Sequence, residues 1–387
     1  MRTRDQPLTG PEAPPPEEGP GAPESAEPRR VATRVAAVFV AAIAVVVLFL
    51  YTFDLLRDPN ANRLLVVSVA LVAGVGGVFL LFWSMDRAVG LIPSERIREM
   101  IRPWVFVGPA LVMLSVFLVY PVFNTILLSV KDNISREYVG LDNYKFVFTD
   151  RDMLRSIRNT IGWLFLVPLA AVTIGLMFAT LADRLRRGES VAKSLIFLPM
   201  AISFAGASIT WQLIYSYRPA GFGSNIGLLN GVMVGLGQDP VKWLELQPWN
   251  NLFLMVIMVW MQTGFAMVVL SSAIKAIPDE IIEAARIDGA SEWQVFAKIT
   301  VPSILPTIVV VATYMVINAM KVFDIVFVQP ANAEVNGTVV VAERMIRWFF
   351  LLQHNGRGAA IAVILFVAVV PVMIFNMRRF REQEAIR

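Results

Sequence analysis

Side chains able to do covalent chemistry are scarce in this chain of 387 residues. It has one histidine, His354, and no cysteine. That composition removes a thiolate nucleophile, every Cys-based metal centre and any His cluster that could hold a metal. No G-x-x-x-x-G-K-[ST] occurs, and no glycine is followed by lysine, so nothing cradles nucleotide phosphates in the usual way. Neither a catalytic constellation, a metal site nor a cofactor site is expected. His354, between Gln353 and Asn355, reads as an exposed loop residue rather than a ligand. What remains is hydrogen-bonding chemistry inside apolar runs. Gln262 and Asn318 lie deep within two such runs, and Phe265 follows Gln262 by three residues, on the same face of a helix. Groups of this kind either bind a polar solute without reacting with it or tie neighbouring helices together. Lys321 and Asp324 stand at the edge of the second run, where a mutual ion pair or snorkelling accounts for them as well as contact with a solute does.

A second group of residues is organised by spacing. In the polar stretch from Ile277 to Pro302, Pro278 suits a helix start, and Asp279 and Glu280 complement the positive end of its dipole. Ile281, Ala284 and Ala285 share one face, while Glu280, Glu283 and Arg286 present charge at similar spacing. Gly289 is placed to end that helix in a left-handed conformation. Ser291 with Gln294 then predicts a capping box for a second short helix carrying Trp293, Phe296 and Ala297. The pattern is a helix–glycine–helix elbow, and an amphipathic linker lying on a membrane surface would share its physics.

These groups must be positioned by membrane-spanning helices. The chain is 56% hydrophobic and only 17% charged, with a mean hydropathy of +0.63, and its apolar residues come in blocks, which excludes soluble, fibrous and disordered classes. Against the roughly 20 residues needed to cross a bilayer, the uncharged runs are Val35–Phe53, Leu64–Met85, Pro103–Val130, Asn159–Ala182, Ser194–Tyr217, Leu246–Ile274, Ile299–Met320 and Gly358–Met377. The expected fold class is therefore all-α, a polytopic membrane protein of about eight transmembrane helices. The uncharged stretch Pro219–Gln238 carries too many glycines, Gly221 to Gly237, for a lipid-facing helix and reads as an external loop.

The net charge of +4 comes from basic residues between apolar runs, a topology signal rather than a nucleic-acid one. With the N-terminus inside, the inner loops hold the excess of Lys and Arg, which places both termini and the elbow in the cytoplasm. Lys131–Arg158, basic but outside on this scheme, is mixed with Asp132, Glu137, Asp142, Asp150 and Asp152 and reads as a folded external loop. Trp211, Trp243, Trp249, Trp348, Tyr215 and Tyr217 read as interfacial anchors, and the methionines as packing. Residues 1–30, rich in Pro and Glu, are expected to form a disordered cytoplasmic tail.

The elbow also resembles the coupling motif of binding-protein-dependent ABC importers, EAA, three residues, G, nine residues, I-x-L-P. Glu283-Ala284-Ala285, Gly289, Ile299 and Pro302 fit that spacing, with Val301 in place of leucine. The phrase from Ile287 through Asp288 and Gly289 to Trp293, the Gly140–Tyr144 sequence and the C-terminal Asn376–Gln383 resemble the carbohydrate-uptake branch, of maltose and alpha-glucoside type. Gln329–Gly337 stands where many members carry Gly-Gly-Pro. The resemblance implies a type I importer permease fold over residues 103–387, with coupling elbow 278–300 and an extra pair of spans at 31–102. It implies a second homologous permease subunit, a dimer of ATP-binding subunits and an extracytoplasmic sugar-binding protein as partners, in a bacterial cytoplasmic membrane and its lipid. It assigns ATPase coupling to Glu283, Ala284, Ala285, Asp288, Gly289, Ile299 and Pro302. Because the two helices flanking the motif line the sugar site in maltose-type permeases, it assigns Gln262, Phe265 and Asn318 to the substrate path. An ion-coupled secondary transporter is the alternative, but it predicts an inverted repeat and mid-depth coupling charges, and neither is found. A polytopic membrane enzyme lacks the polar residues it would need.

Overall fold

A computed structural model describes residues 40–384 apart from 41–42, 46, 57–61, 91, 93, 184, 186, 220–226 and 330–336. The tail 1–30, Gly221 and Gly223, and most of Gln329–Gly337 lie outside the described residues. Among the described residues the structure is helical, with one isolated bridge between Lys131 and Tyr138 as its only strand pairing. The chain divides into two compact units, Met1–Tyr120 and Pro121–Arg387.

In the first unit, α1 (Arg63–Gly90) pairs with α2 (Glu95–Leu114) through stacked Phe82 and Phe106 rings 5.9 Å apart and an Arg102–Asp86 ion pair of 3.0 Å. α2 buries no residue of its own, as expected of a helix whose solvent is lipid. A wide π turn, Ser115–Val119, carries the chain into α3 (Tyr120–Ser129), so that Glu95–Ser129 is long and apolar enough to span a bilayer.

The second unit contains α4 (Asp142–Thr149), α5 (Arg151–Asp183), α6 (Glu189–Phe197), α7 (Phe204–Ile214), α8 (Leu228–Gly235), α9 (Asn250–Lys275), α10 (Asp279–Ile287), α11 (Glu292–Val295), α12 (Leu305–Met320), α13 (Asp324–Val328), α14 (Val341–Ile346) and α15 (Asn355–Glu384). Its centre is α9, 56% of whose apolar window is buried, against 28% for α5. Glycine permits the close approaches. A Cβ at Gly175 would lie 2.4 Å from the Cβ of Ala266, and one at Gly264 would lie 2.5 Å from the Ile196 carbonyl oxygen. Met258, Met261, Met267 and Met315 fill the irregular space between these helices.

The expected spans appear with two differences. Five helices cross by length and composition, whereas Ser194–Tyr217 and Ile299–Met320 are broken. The helix to Ala201 meets α7 at 103°, and Glu292–Ser303 meets α12 at 68°. At the first break Ile202 and Ser203 are extended and Ser203 caps α7, its hydroxyl accepting from Gly206 N at 3.1 Å. At the second, Ile304 (φ −95°, ψ 5°) is non-helical, two residues from Pro306, which has no N–H to donate and a ring that opposes a continuous helix. About eight spans therefore become five straight helices and two bent pairs among the described residues, with Ile43–Leu56 a shorter apolar helix. The glycine-rich stretch expected to be an external loop also contains a helix, α8.

Two other expectations change. Trp211, Trp243 and Tyr215, expected as interfacial anchors, are packed within the bundle. They pack with Phe253 and Trp260 in one core cluster, and Tyr215 donates its hydroxyl to the Phe253 carbonyl at 2.8 Å. His354 is half-buried edge-on against Trp348, with ring centroids 5.5 Å apart. Burial and the Arg357 charge hold its imidazole below the usual histidine pKa. By contrast, Lys131–Arg158 is folded as expected. Asp132 accepts from the backbone N–H groups of Arg136 and Glu137, at 2.7 and 3.2 Å, and Asn143 donates to the carbonyls of Ser129 and Lys131.

Candidate functional site

Half-way along α9, about 18 Å from its first residue at 1.5 Å per residue, Gln262 enters a cavity of ≈ 290 Å³ between α7, α9, α12 and α13. Ser203, Phe204, Tyr314, Asn318 and Asp324 share its wall. Sequence reasoning placed Gln262 and Asn318 at similar depth, and the structure brings them into one cavity. Gln262 is only 3% exposed, and among the described residues its amide has no hydrogen-bond partner. Its amide opens onto the cavity rather than onto a neighbouring helix, where a polar ligand can reach it. Asn318 donates to the Tyr314 carbonyl at 2.9 Å, which leaves its other N–H and its carbonyl oxygen available. Phe265 does not line the cavity. Its ring packs on Tyr314 at 4.5 Å and so supports a wall residue.

One wall residue, Tyr314, was hidden among apolar neighbours, and Asp324 was left between a pair with Lys321, snorkelling and contact with a solute. The structure separates that pair: α12 ends at Met320, Lys321 lines a different, apolar cavity with Phe323 and Leu365, and Asp324 opens α13 at the Gln262 cavity. No ion pair joins them among the described residues.

The elbow has the geometry its capping residues predict. The amide of Ala290 donates to the Ala285 carbonyl and that of Gly289 to Arg286, both at 3.0 Å, and Gly289 has φ +84°, which is a Schellman ending for α10. Ser291 and Gln294 form the reciprocal capping box that starts α11. Arg286 bridges to Glu292 across the bend at 2.9 Å. Ile299 lies in a π turn, Phe296–Thr300, and Pro302 in the short turn Val301–Ser303 before the break. Glu283, Ala284 and Asp288 are exposed and Ala285 is half-buried. α10 buries none of its residues, and Ile287 and Trp293 are 86% and 71% exposed. The elbow therefore leaves apolar surface exposed beside charge.

Above the elbow, the ends of α5, α6 and α9 are joined by charge. Lys193 contacts Asp183 and Glu189, each at 2.6 Å, Lys275 contacts Glu189, and Ser271 donates to Asp183 at 2.7 Å. The helix that carries Gln262 is thereby tied, one turn before the elbow, to the two helices beside it.

A family model for binding-protein-dependent transport system inner membrane components matches residues 171–382. The chain is 52% identical over 282 residues to an osmoprotective compounds uptake permease protein of Synechocystis, covering 73% of this chain and 100% of that one. It is 46% identical over 333 residues to an alpha-glucoside transport system permease protein of Rhizobium meliloti, covering 82% and 97%, and 30% identical over 298 residues to a trehalose/maltose transport system permease protein of Thermococcus litoralis, covering 75% and 98%. The fold matches a chain of a bacterial ABC transporter involved in import of the acidic polysaccharide alginate, with a TM-score of 0.63, 24% identity and coverage of 74% of this chain and 99% of that one. A chain with this elbow, these spans and these relatives belongs to the binding-protein-dependent transport system inner membrane components, the permease subunits of ABC importers, whose ATP hydrolysis takes place on a separate subunit.

Proposed function

We propose that the transported solute is a sugar of alpha-glucoside or related glycoside type, and that it crosses through the Gln262–Asn318 cavity. The observation that carries this reading is the unpartnered amide of Gln262, a residue set deep in the bundle, facing a cavity that also offers Asn318, Asp324 and Tyr314. A sugar presents alternating hydroxyl donors and acceptors and apolar C–H faces, and this wall answers with amides, a carboxylate and an aromatic ring. The relatives named for alpha-glucoside and trehalose/maltose transport support the same class.

As an importer permease the chain is a multi-pass inner-membrane protein that works with a second permease subunit, an ATP-binding dimer and an extracytoplasmic binding protein. In our reading, residues 278–300 dock on the ATP-binding subunit, with Glu283, Ala284, Ala285, Asp288 and Gly289 at the contact and Ile299 and Pro302 holding its exit. Closure of the ATPase dimer pushes the elbow, and the Asp183–Glu189–Lys193–Lys275 cluster passes that displacement to α5, α6 and α9. The bends at Ser203 and Ile304 are where the bundle changes direction around the cavity. The chain makes and breaks no covalent bond. Residues 1–30 act as a cytoplasmic tail and 31–102 as an added helix pair outside the permease domain, 103–387.

The test is uptake by the assembled complex in proteoliposomes. Gln262→Ala with Asn318→Ala is expected to lower uptake of maltose, trehalose or sucrose about tenfold or more, the effect of about 1.4 kcal/mol, at unchanged amounts of assembled complex. Unchanged kinetics for every sugar that is taken up would remove both residues from the path.

A further inference from the structure

The second unit holds a larger cavity, ≈ 600 Å³, at the end of α9 opposite the elbow. It is lined by Gln212, Ser216, Tyr217, Lys242, Trp243 and Gln329, among others. Two buried polar atoms in this lining have no hydrogen-bond partner, the indole N–H of Trp243 and the side-chain oxygen of Gln329, and Gln329 is 6% exposed. One is a donor and the other an acceptor, and the fold satisfies neither. At the rim Lys242 lies 5.5 Å over the Tyr217 ring and pairs with Glu245 at 3.1 Å, so an aromatic face and both signs of charge border the opening.

This cavity is joined to the Gln262 cavity by one structural pair. α7 begins at the inner cavity, with Ser203 and Phe204, and ends at the outer one, with Gln212 and Leu213; α13 begins with Asp324 and is followed by Gln329 in the same order. Three side chains lock the pair along its length. Ser208 donates to the Ile325 carbonyl at 3.2 Å, Gln212 to Val328 at 2.8 Å and Gln329 to Ser208 at 3.1 Å. At 1.5 Å per residue the nine positions from Ser203 to Gln212 set the two cavities about 14 Å apart. The Gln329 amide is held by its nitrogen, which presents its oxygen in a fixed position, as a preorganised binding group requires.

We propose that the outer cavity is a second sugar station, which receives the glycoside at the mouth before it moves along the α7–α13 pair to Gln262. Aromatic rings for the C–H faces, one unpaired donor, one unpaired acceptor and a flanking ion pair are the groups a neutral polyhydroxylated ligand uses. The inference rests on the reading of the chain as a sugar permease.

The absence of native cysteine gives a direct test. Ser216→Cys reports on the outer cavity and Ile202→Cys on the inner one, each in the full complex in lipid nanodiscs, with alkylation followed on this chain by mass spectrometry. Maltose, trehalose and sucrose, at matched osmolality and without binding protein, are expected to slow alkylation several-fold at both positions. Trp243→Phe, which keeps the ring contact with Phe253 and loses the N–H, should abolish protection at Ser216→Cys only, and Gln262→Ala at Ile202→Cys only. Tyr217→Leu serves as a second outer variant should Trp243→Phe fail to assemble. An unprotected Ser216→Cys beside a protected Ile202→Cys overturns the outer station and leaves the inner path standing, as does protection at Ser216→Cys by binding protein alone. Protection at neither position overturns the sugar reading itself.

Discussion

Gln262 separates two uses of a polar side chain inside a membrane. An amide that ties helices together has a partner to lose, and removing it destabilises the bundle. An amide kept for a ligand has none in the empty protein and faces the cavity instead. With no partner among the described residues and its amide open to the cavity, Gln262 belongs to the second kind, and replacing it with an apolar side chain of similar length breaks no bond within the bundle. Gln262→Leu is therefore expected to leave the melting temperature of the complex unchanged or higher while lowering sugar uptake in the same sense as Gln262→Ala, an exchange of function for stability. A fall in melting temperature of several degrees with uptake preserved would mean that Gln262 is structural after all. Asn318 gives the contrasting case, since it already donates to Tyr314 and Asn318→Leu removes a bond as well as a ligand group.

The elements differ in how much of them can be read in advance, and the difference is one of range. The elbow was legible because its determinants are local. Gly289, Ser291, Gln294 and Pro278 act within a turn of themselves, and the observed φ and capping bonds follow from their order alone. The two bent spans were not legible. An uninterrupted apolar run reads the same whether the helix continues or turns through 103°, and the turn at Ile202–Ser203 is held by a neighbour, with Ile196 and Phe197 pressed onto Gly264. The same holds for the Lys193 cluster, whose Ser271 contact spans 78 positions of sequence, and for Asp324, whose cavity depends on the break after Met320. Because the elbow is local, it can be altered locally. A Cβ at Gly289 meets nothing within 4 Å, so within this chain Gly289→Val acts through backbone strain, about 1–2 kcal/mol for a side chain at that φ. Gly289→Val and Glu283→Lys are expected to leave insertion and pairing with the second permease intact while reducing copurifying ATP-binding subunit and sugar-stimulated ATP hydrolysis. Wild-type values of both quantities in both variants would remove the docking role.

At the scale of the whole molecule the open question is which face of the membrane the elbow meets. Charge counting puts the elbow inside, yet Lys131–Arg158, rich in Lys and Arg, then lies outside. The structure explains how it can. The loop is a folded piece, closed on itself by Asp132 and Asn143 and joined to the start of α15 by the bond from Asn355 N to the Asn133 carbonyl at 3.1 Å. Its basic residues alternate with acids, as in the Arg155–Asp152 pair at 3.4 Å. The α9 helix fixes the rest: 26 residues, about 39 Å at 1.5 Å per residue, exceed the hydrocarbon thickness of about 30 Å, so whatever precedes Asn250 and whatever follows Lys275 lie on opposite sides. The elbow follows Lys275. In intact cells whose outer barrier has been permeabilised, a membrane-impermeant maleimide is therefore expected to label Glu137→Cys and to spare Asp288→Cys, with both reacting once the inner membrane is broken. Labelling of Asp288→Cys in intact cells would invert the topology and detach the elbow from any cytoplasmic ATPase. Labelling of both would mean that the two positions share one side, which α5 (Arg151–Asp183) does not permit if it spans the bilayer, because it follows the loop that holds Glu137 and its last residue, Asp183, contacts Lys275, just before the elbow, at 3.8 Å.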